Sequence, residues 1–110
     1  MKYKIKNANV CASGGGCYEF IGALSNNEYF LASNTCFDVR IISRNPNDYD
    51  YNEIWFPTWQ EECLIKDLID LKERKSFFEN LFKYFKKNNP NDYVAYDMSW
   101  IEETLENYNE

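Results

Sequence analysis

The chain opens with charge alternating against bulk: Lys2, Lys4 and Lys6 bracket Tyr3 and Ile5. A period of two suits a strand with one buried face, so a first strand is predicted over Lys2–Lys6 and on through Asn9, Val10 and Cys11. Gly14, Gly15 and Gly16 then break it. The segments 18–24 (YEFIGAL) and 29–33 (YFLAS) have strand character, and the Ser25-Asn26-Asn27-Glu28 connection between them contains asparagines that tolerate positive φ. If Asn26 and Asn27 alone make the loop, Leu24 faces Tyr29, Ile21 faces Ala32 and Cys17 faces Cys36, with opposed Cβ atoms roughly 5 Å apart.

A further strand is predicted over Phe37–Ser43. The polar, turn-rich stretch Arg44–Asn52 follows, then a short strand over Glu53–Phe56 that ends at Pro57. Beyond this point the period changes. Thr58 with Glu61, Ser76 with Glu79 and Ser99 with Glu102 each set a hydroxyl three residues ahead of a carboxylate, the capping-box spacing of a helix start. Apolar stripes follow each box: Leu64, Ile65, Leu68, Ile69 and Leu71; then Phe77, Phe78, Leu81, Phe82 and Phe85; then Ile101, Leu105 and Tyr108. Pro90 punctuates the gap after the second. The fold class predicted is α+β, one domain over residues 1–110, with a small antiparallel β-sheet in the N-terminal half followed by three helices packed on it.

Composition agrees with a packed core: 45% of residues are hydrophobic and 18% aromatic. Charge adds something the pattern does not. The net charge of −6 arises entirely in residues 91–110, where Asp92, Asp97, Glu102, Glu103, Glu106 and Glu110 occur with no base. Such a surface repels nucleic acid and suits a protein partner with a basic surface, or serves simply as a solvated face. The N-terminus has no apolar signal core and no run is long enough for a membrane span, so the expectation is a cytoplasmic chain with no membrane and no direct nucleic-acid binding.

The sequence has no histidine, which removes the commonest general base and the usual partner of a catalytic cysteine. No phosphate-loop pattern surrounds the glycines. The adjacent pairs Glu61/Glu62 and Glu102/Glu103 would diverge by about 100° on a helix, as solvated residues do. The chain is therefore not expected to be an enzyme.

Its four cysteines leave several readings open. Cys11, Cys17, Cys36 and Cys63 could form a closed zinc shell, structural because no position is left for substrate, with the glycine run letting the backbone turn back on the metal. Their spacing lacks the usual C-x2-C pairs. Buried apolar cysteines, a Cys17–Cys36 disulfide and a nucleophilic thiol are the other readings. On a first helix, Cys63 would lie well off the apolar stripe, beside Trp59. Binding through aromatics is suggested by Tyr49, Tyr51, Trp55, Phe56 and Trp59 around the acidic loop carrying Asp48, Asp50 and Glu53; Trp55 also reads as a core strand residue.

In small size, acidic C-terminus and abundance of Asn, Lys, Tyr and Phe, the chain resembles single-domain inhibitors carried by phages and mobile elements, in particular the type II-A anti-CRISPR proteins. Some of these contain a structural zinc, as Cys11, Cys17, Cys36 and Cys63 would here. The resemblance is one of overall character and carries no residue across. It implies a viral protein in the cytoplasm of a bacterial host that binds the Cas9 effector and blocks target DNA loading or cleavage. The contacts expected are the acidic C-terminal segment (Asp97, Glu102, Glu103, Glu106) and the loop of Asp48, Tyr49, Asp50, Tyr51 and Glu53. An immunity protein against a basic toxin nuclease, or a non-antagonistic interaction module, is the alternative.

Overall fold

The structure, a computed structural model, describes residues 3–48 and 61–109. Five strands form one antiparallel sheet in sequence order: β1 (Ile5–Gly14), β2 (Cys17–Leu24), β3 (Tyr29–Ser33), β4 (Asp38–Ile42) and β5 (Leu64–Asp67). Helices α1 (Leu71–Asn88), α2 (Pro90–Ala95) and α3 (Met98–Glu106) follow. The domain is α+β, a sheet followed by helices.

Alternation along each strand decides what faces the helices. Phe20 and Leu24 of β2, Phe30 and Ala32 of β3, and Val39 and Ile41 of β4 are buried against Phe77, Phe78, Leu81, Phe82 and Phe85 of α1 and Met98, Ile101 and Leu105 of α3. The core is largely phenylalanine. Phe78 makes ring contacts with Phe20, Phe37, Phe77 and Phe82, mostly in the edge-on arrangement that the ring quadrupole favours. Gly22 interrupts the side-chain row of β2, since a Cβ there would lie 2.1 Å from the Asn7 carbonyl oxygen and 2.7 Å from the Phe30 ring. The opposite sheet face holds a smaller cluster of Ile21, Leu31, Ile42 and Cys63, with Cys11 and Tyr29 packed against it.

Turn chemistry explains where local expectation and structure diverge. Gly15 and Gly16 both have positive φ (59° and 81°) and join the paired residues Gly14 and Cys17, as a two-residue type I′ hairpin requires. Gly15 and Gly16 of the glycine run are thus the turn of a hairpin. In the next hairpin the Leu24 amide donates to Glu28 O (2.8 Å), and only Asn27 (φ 67°) is left-handed. The loop therefore has three residues, Ser25 to Asn27, a turn closed by one left-handed residue. That extra residue shifts the register: Phe20, not Ile21, faces Ala32, and Ala23, not Leu24, faces Tyr29. Cys36 is not opposite Cys17, because β3 ends at Ser33 and residues 34–37 form the turn into β4.

The predicted first helix is also corrected. Residues 61–63 are helical, but Leu64–Asp67 is the edge strand β5, with Arg40 opposite Asp67 and Ile42 opposite Leu64. A short apolar run fits helix and strand periods alike; the open edge of β4 settles it. The following helix begins five residues before Ser76, because Asp70 is the cap and its carboxylate accepts from the Lys72 amide (3.3 Å). Pro90 occupies the first turn of α2 rather than a gap, at a position where its missing N–H costs nothing. Ser99 lies just inside α3, whose cap is Asp97 in the left-handed region (φ 49°). The strand predicted over Glu53–Phe56 and the box at Thr58 lie outside the described residues.

Candidate interaction surface

The C-terminal segment is anchored before it is exposed. Tyr96, at the end of α2, packs edge-on against Tyr18 of β2 with ring centroids 5.7 Å apart. Buried Ile101 and Leu105 attach α3 to the core, and Tyr108 contacts Phe37 at 5.2 Å. Between α1, α2 and α3, Lys86 Nζ bonds Glu102 Oε1 at 3.0 Å and sits over the Tyr93 ring, while the Tyr93 hydroxyl donates to Glu102. The hydrogen bond to Glu102 holds the Lys86 ammonium above its ordinary pKa. Burial, then that same carboxylate, raises the Tyr93 phenol. Glu102, an expected partner contact, is engaged inside the domain.

The remaining acids face outward. Asp97, Glu103 and Glu106 are exposed, and no ion pair among the described residues engages them. Glu106 lies along the α1–α3 seam shared with Lys75, Lys83 and Lys86, so its field is partly compensated. Glu103 is not in that seam. It borders an open groove of about 410 Å³ lined by Trp100, Glu103, Thr104, Asn107 and Tyr108.

Trp100 is the residue that pattern reading missed. Its side chain is 49% exposed, opposite the Ile101–Leu105 stripe, and the ring tip rests on the β1–β2 turn, 3.7 Å from where a Gly16 Cβ would stand. A tryptophan off the apolar stripe of a capped helix was the available signal. Two polar neighbours are satisfied internally: Thr104 Oγ1 donates to Trp100 O (2.9 Å) and Asn107 Nδ2 to Glu103 O (3.0 Å). Asp48, at the end of a short 3-10 turn, is also exposed. Tyr49, Asp50, Tyr51 and Glu53 lie outside the described residues.

The four cysteines divide into two environments. Cys63 is buried and Cys11 half-buried in the cluster on the outer sheet face. Cys11 is the extra residue at a bulge between Val10 and Ala12, and its thiol donates to Glu19 O at 3.5 Å. Burial and the nearby Glu19 carboxylate push its pKa up to about 12, and burial raises Cys63 as well. Cys17 and Cys36 are exposed at turns. All four sulfurs are thiols. Cys11 and Cys63 share a cluster, and among the described residues no three or more Cys, Asp or Glu side chains are arranged to hold a metal ion.

Together these features define an α+β domain that presents a half-exposed tryptophan beside the exposed Glu103 carboxylate on its last helix. No protein-family model, curated protein or solved structure matches the chain. Among the described residues no helix is long and apolar enough to cross a membrane.

Proposed function

We propose that this chain is a non-enzymatic protein inhibitor that acts by covering a basic surface of another protein. Following its resemblance to anti-CRISPR proteins, the partner is the Cas9 effector, and the consequence is blocked target DNA loading or cleavage. The observation that supports the reading is the outer surface of α3 and its cap, where Glu103 lines a groove with the half-exposed Trp100 and Asp97 and Glu106 are exposed as well. An aromatic anchor with a charged rim is the usual anatomy of a protein-binding patch, and channels that grip nucleic-acid backbones supply the complementary charge.

The test is plasmid cleavage by guide-loaded Cas9 in the presence of excess purified protein. Cleavage should slow, less so at high salt, and neutralising Asp97, Glu103 and Glu106 together should relieve the inhibition. Unchanged cleavage would remove Cas9 as the target. Recovery of a basic toxin nuclease from a lysate would then support the immunity-protein alternative.

A structural zinc held by Cys11, Cys17, Cys36 and Cys63 is a separate proposal. It requires the exposed pair to be drawn to the buried pair, and elemental analysis of untagged protein and of Cys17→Ser decides it. Stoichiometric zinc lost in the variant supports a cysteine-held metal; none in either leaves Cys11 and Cys63 as core residues.

A further inference from the structure

We infer that the groove between Trp100 and Tyr108 is a reader of a single arginine side chain on the partner. This deepens the function proposed above and rests on it. Trp100 and Glu103 are three apart on α3, hence neighbours on one helix face, with Cβ atoms roughly 5–6 Å apart. One planar guanidinium can lie against the exposed indole and turn its N–H fork to the Glu103 carboxylate at once. An ammonium is a strongly hydrated point charge without that plane and does not combine the two contacts.

Three features of the groove favour arginine. The tip of the indole lies against Gly16 of the β1–β2 turn, so one end of the ring is backed by the domain before a ligand arrives. The Thr104 hydroxyl and one Asn107 amide N–H donate to helix carbonyls rather than into the groove. The charge in the lining is the Glu103 carboxylate alone, with exposed Asp97 at the helix cap three residues before Trp100 and no base between residues 91 and 109. Gly16 and Tyr108 come from opposite ends of the domain sequence, which explains why the groove is invisible in a linear reading.

The probe is a short peptide alternating arginine with glycine, compared with its lysine counterpart of equal length and charge. Binding is measured by calorimetry, and its location by amide and indole N–H shifts in NMR spectra of the full chain. The arginine peptide should bind about five- to tenfold more tightly than the lysine peptide, with shifts centred on residues 97–108 and the Trp100 indole. Trp100→Ala should abolish that preference; Trp100→Phe should retain part of it and Glu103→Gln should weaken it, so the result survives if the alanine variant folds poorly. Equal binding of both peptides, unaffected by Trp100→Phe or Glu103→Gln, would overturn the arginine reader and leave the acidic-surface function standing. If neither peptide bound, the arginine reader and this surface as the seat of a basic partner would both fall, whereas Cas9 inhibition would still be open to measurement.

Discussion

Replacing Glu102 by Gln should cost stability, while replacing Glu103 by Gln should not. The two residues are adjacent, both acidic and both on α3, so a linear reading gives them one role. In the fold, Glu102 accepts from Lys86 and from the Tyr93 hydroxyl, tying α3 to both preceding helices. A partly exposed ion pair contributes about 0.2–1 kcal/mol, and a hydrogen bond to a charged group about 1.5–3 kcal/mol. The Lys86 and Glu102 side chains are 49% and 29% exposed, and glutamine retains an oxygen that can accept from Tyr93. Both facts argue for the lower end, a loss of about 1–2 kcal/mol, or about 4–8 °C in Tm for a domain of this size. Glu103→Gln should stay within about 0.5 kcal/mol. Lys86 and Tyr93 both hold their protons more firmly in the native state. The contribution of Glu102 is therefore complete below their ordinary values and is lost as pH rises through the raised ones, above about pH 10. Urea unfolding followed by circular dichroism, at neutral pH and near pH 11, reads both effects. Equal stability of the two variants at neutral pH, or a gap that widens in alkali, would refute the assignment of Glu102 to the helix junction.

Two further outcomes follow from the interior. Gly22→Ala should abolish or severely reduce folding, at a cost above about 3 kcal/mol, because the new Cβ meets a backbone carbonyl at 2.1 Å as well as the Phe30 ring; a stable, soluble variant by circular dichroism would show that β1 and β2 do not approach so closely. Native protein treated with a thiol reagent such as DTNB should expose Cys17 and Cys36 promptly, with Cys11 and Cys63 reacting only on unfolding. Protection of all four until a chelator is added would instead indicate the zinc site.

Much of the architecture is written locally. The phenylalanine stripe of α1 is amphipathic at helical period and could be buried only against an apolar sheet face, so α+β with the sheet first follows from spacing. Local pattern also carries the concentration of acid near the C-terminus and the absence of histidine chemistry. It fails where two local structures have similar energy. Leu64 to Asp67 becomes a strand because β4 offers unpaired hydrogen-bonding groups, which no periodicity reports. The hairpin at Ser25–Asn27 takes a three-residue loop, which shifts the register by one, and β3 ends at Ser33, which leaves Cys36 in a turn outside the ladder with Cys17.

Sequence alone thus determined the class of fold, the faces of its long helix and the sign of its C-terminal surface, because each is set by neighbours within a few positions. Tertiary structure decided which carboxylates are available. Glu102 is taken by Lys86 and Tyr93 while Glu103 stays exposed beside Trp100. The same held for the thiols: the sheet's outer face draws Cys11 and Cys63 into one cluster and leaves Cys17 and Cys36 at turns. The reason is physical: a charge or a sulfur acquires its role from what the rest of the chain places within a few ångströms, and those partners are remote in sequence.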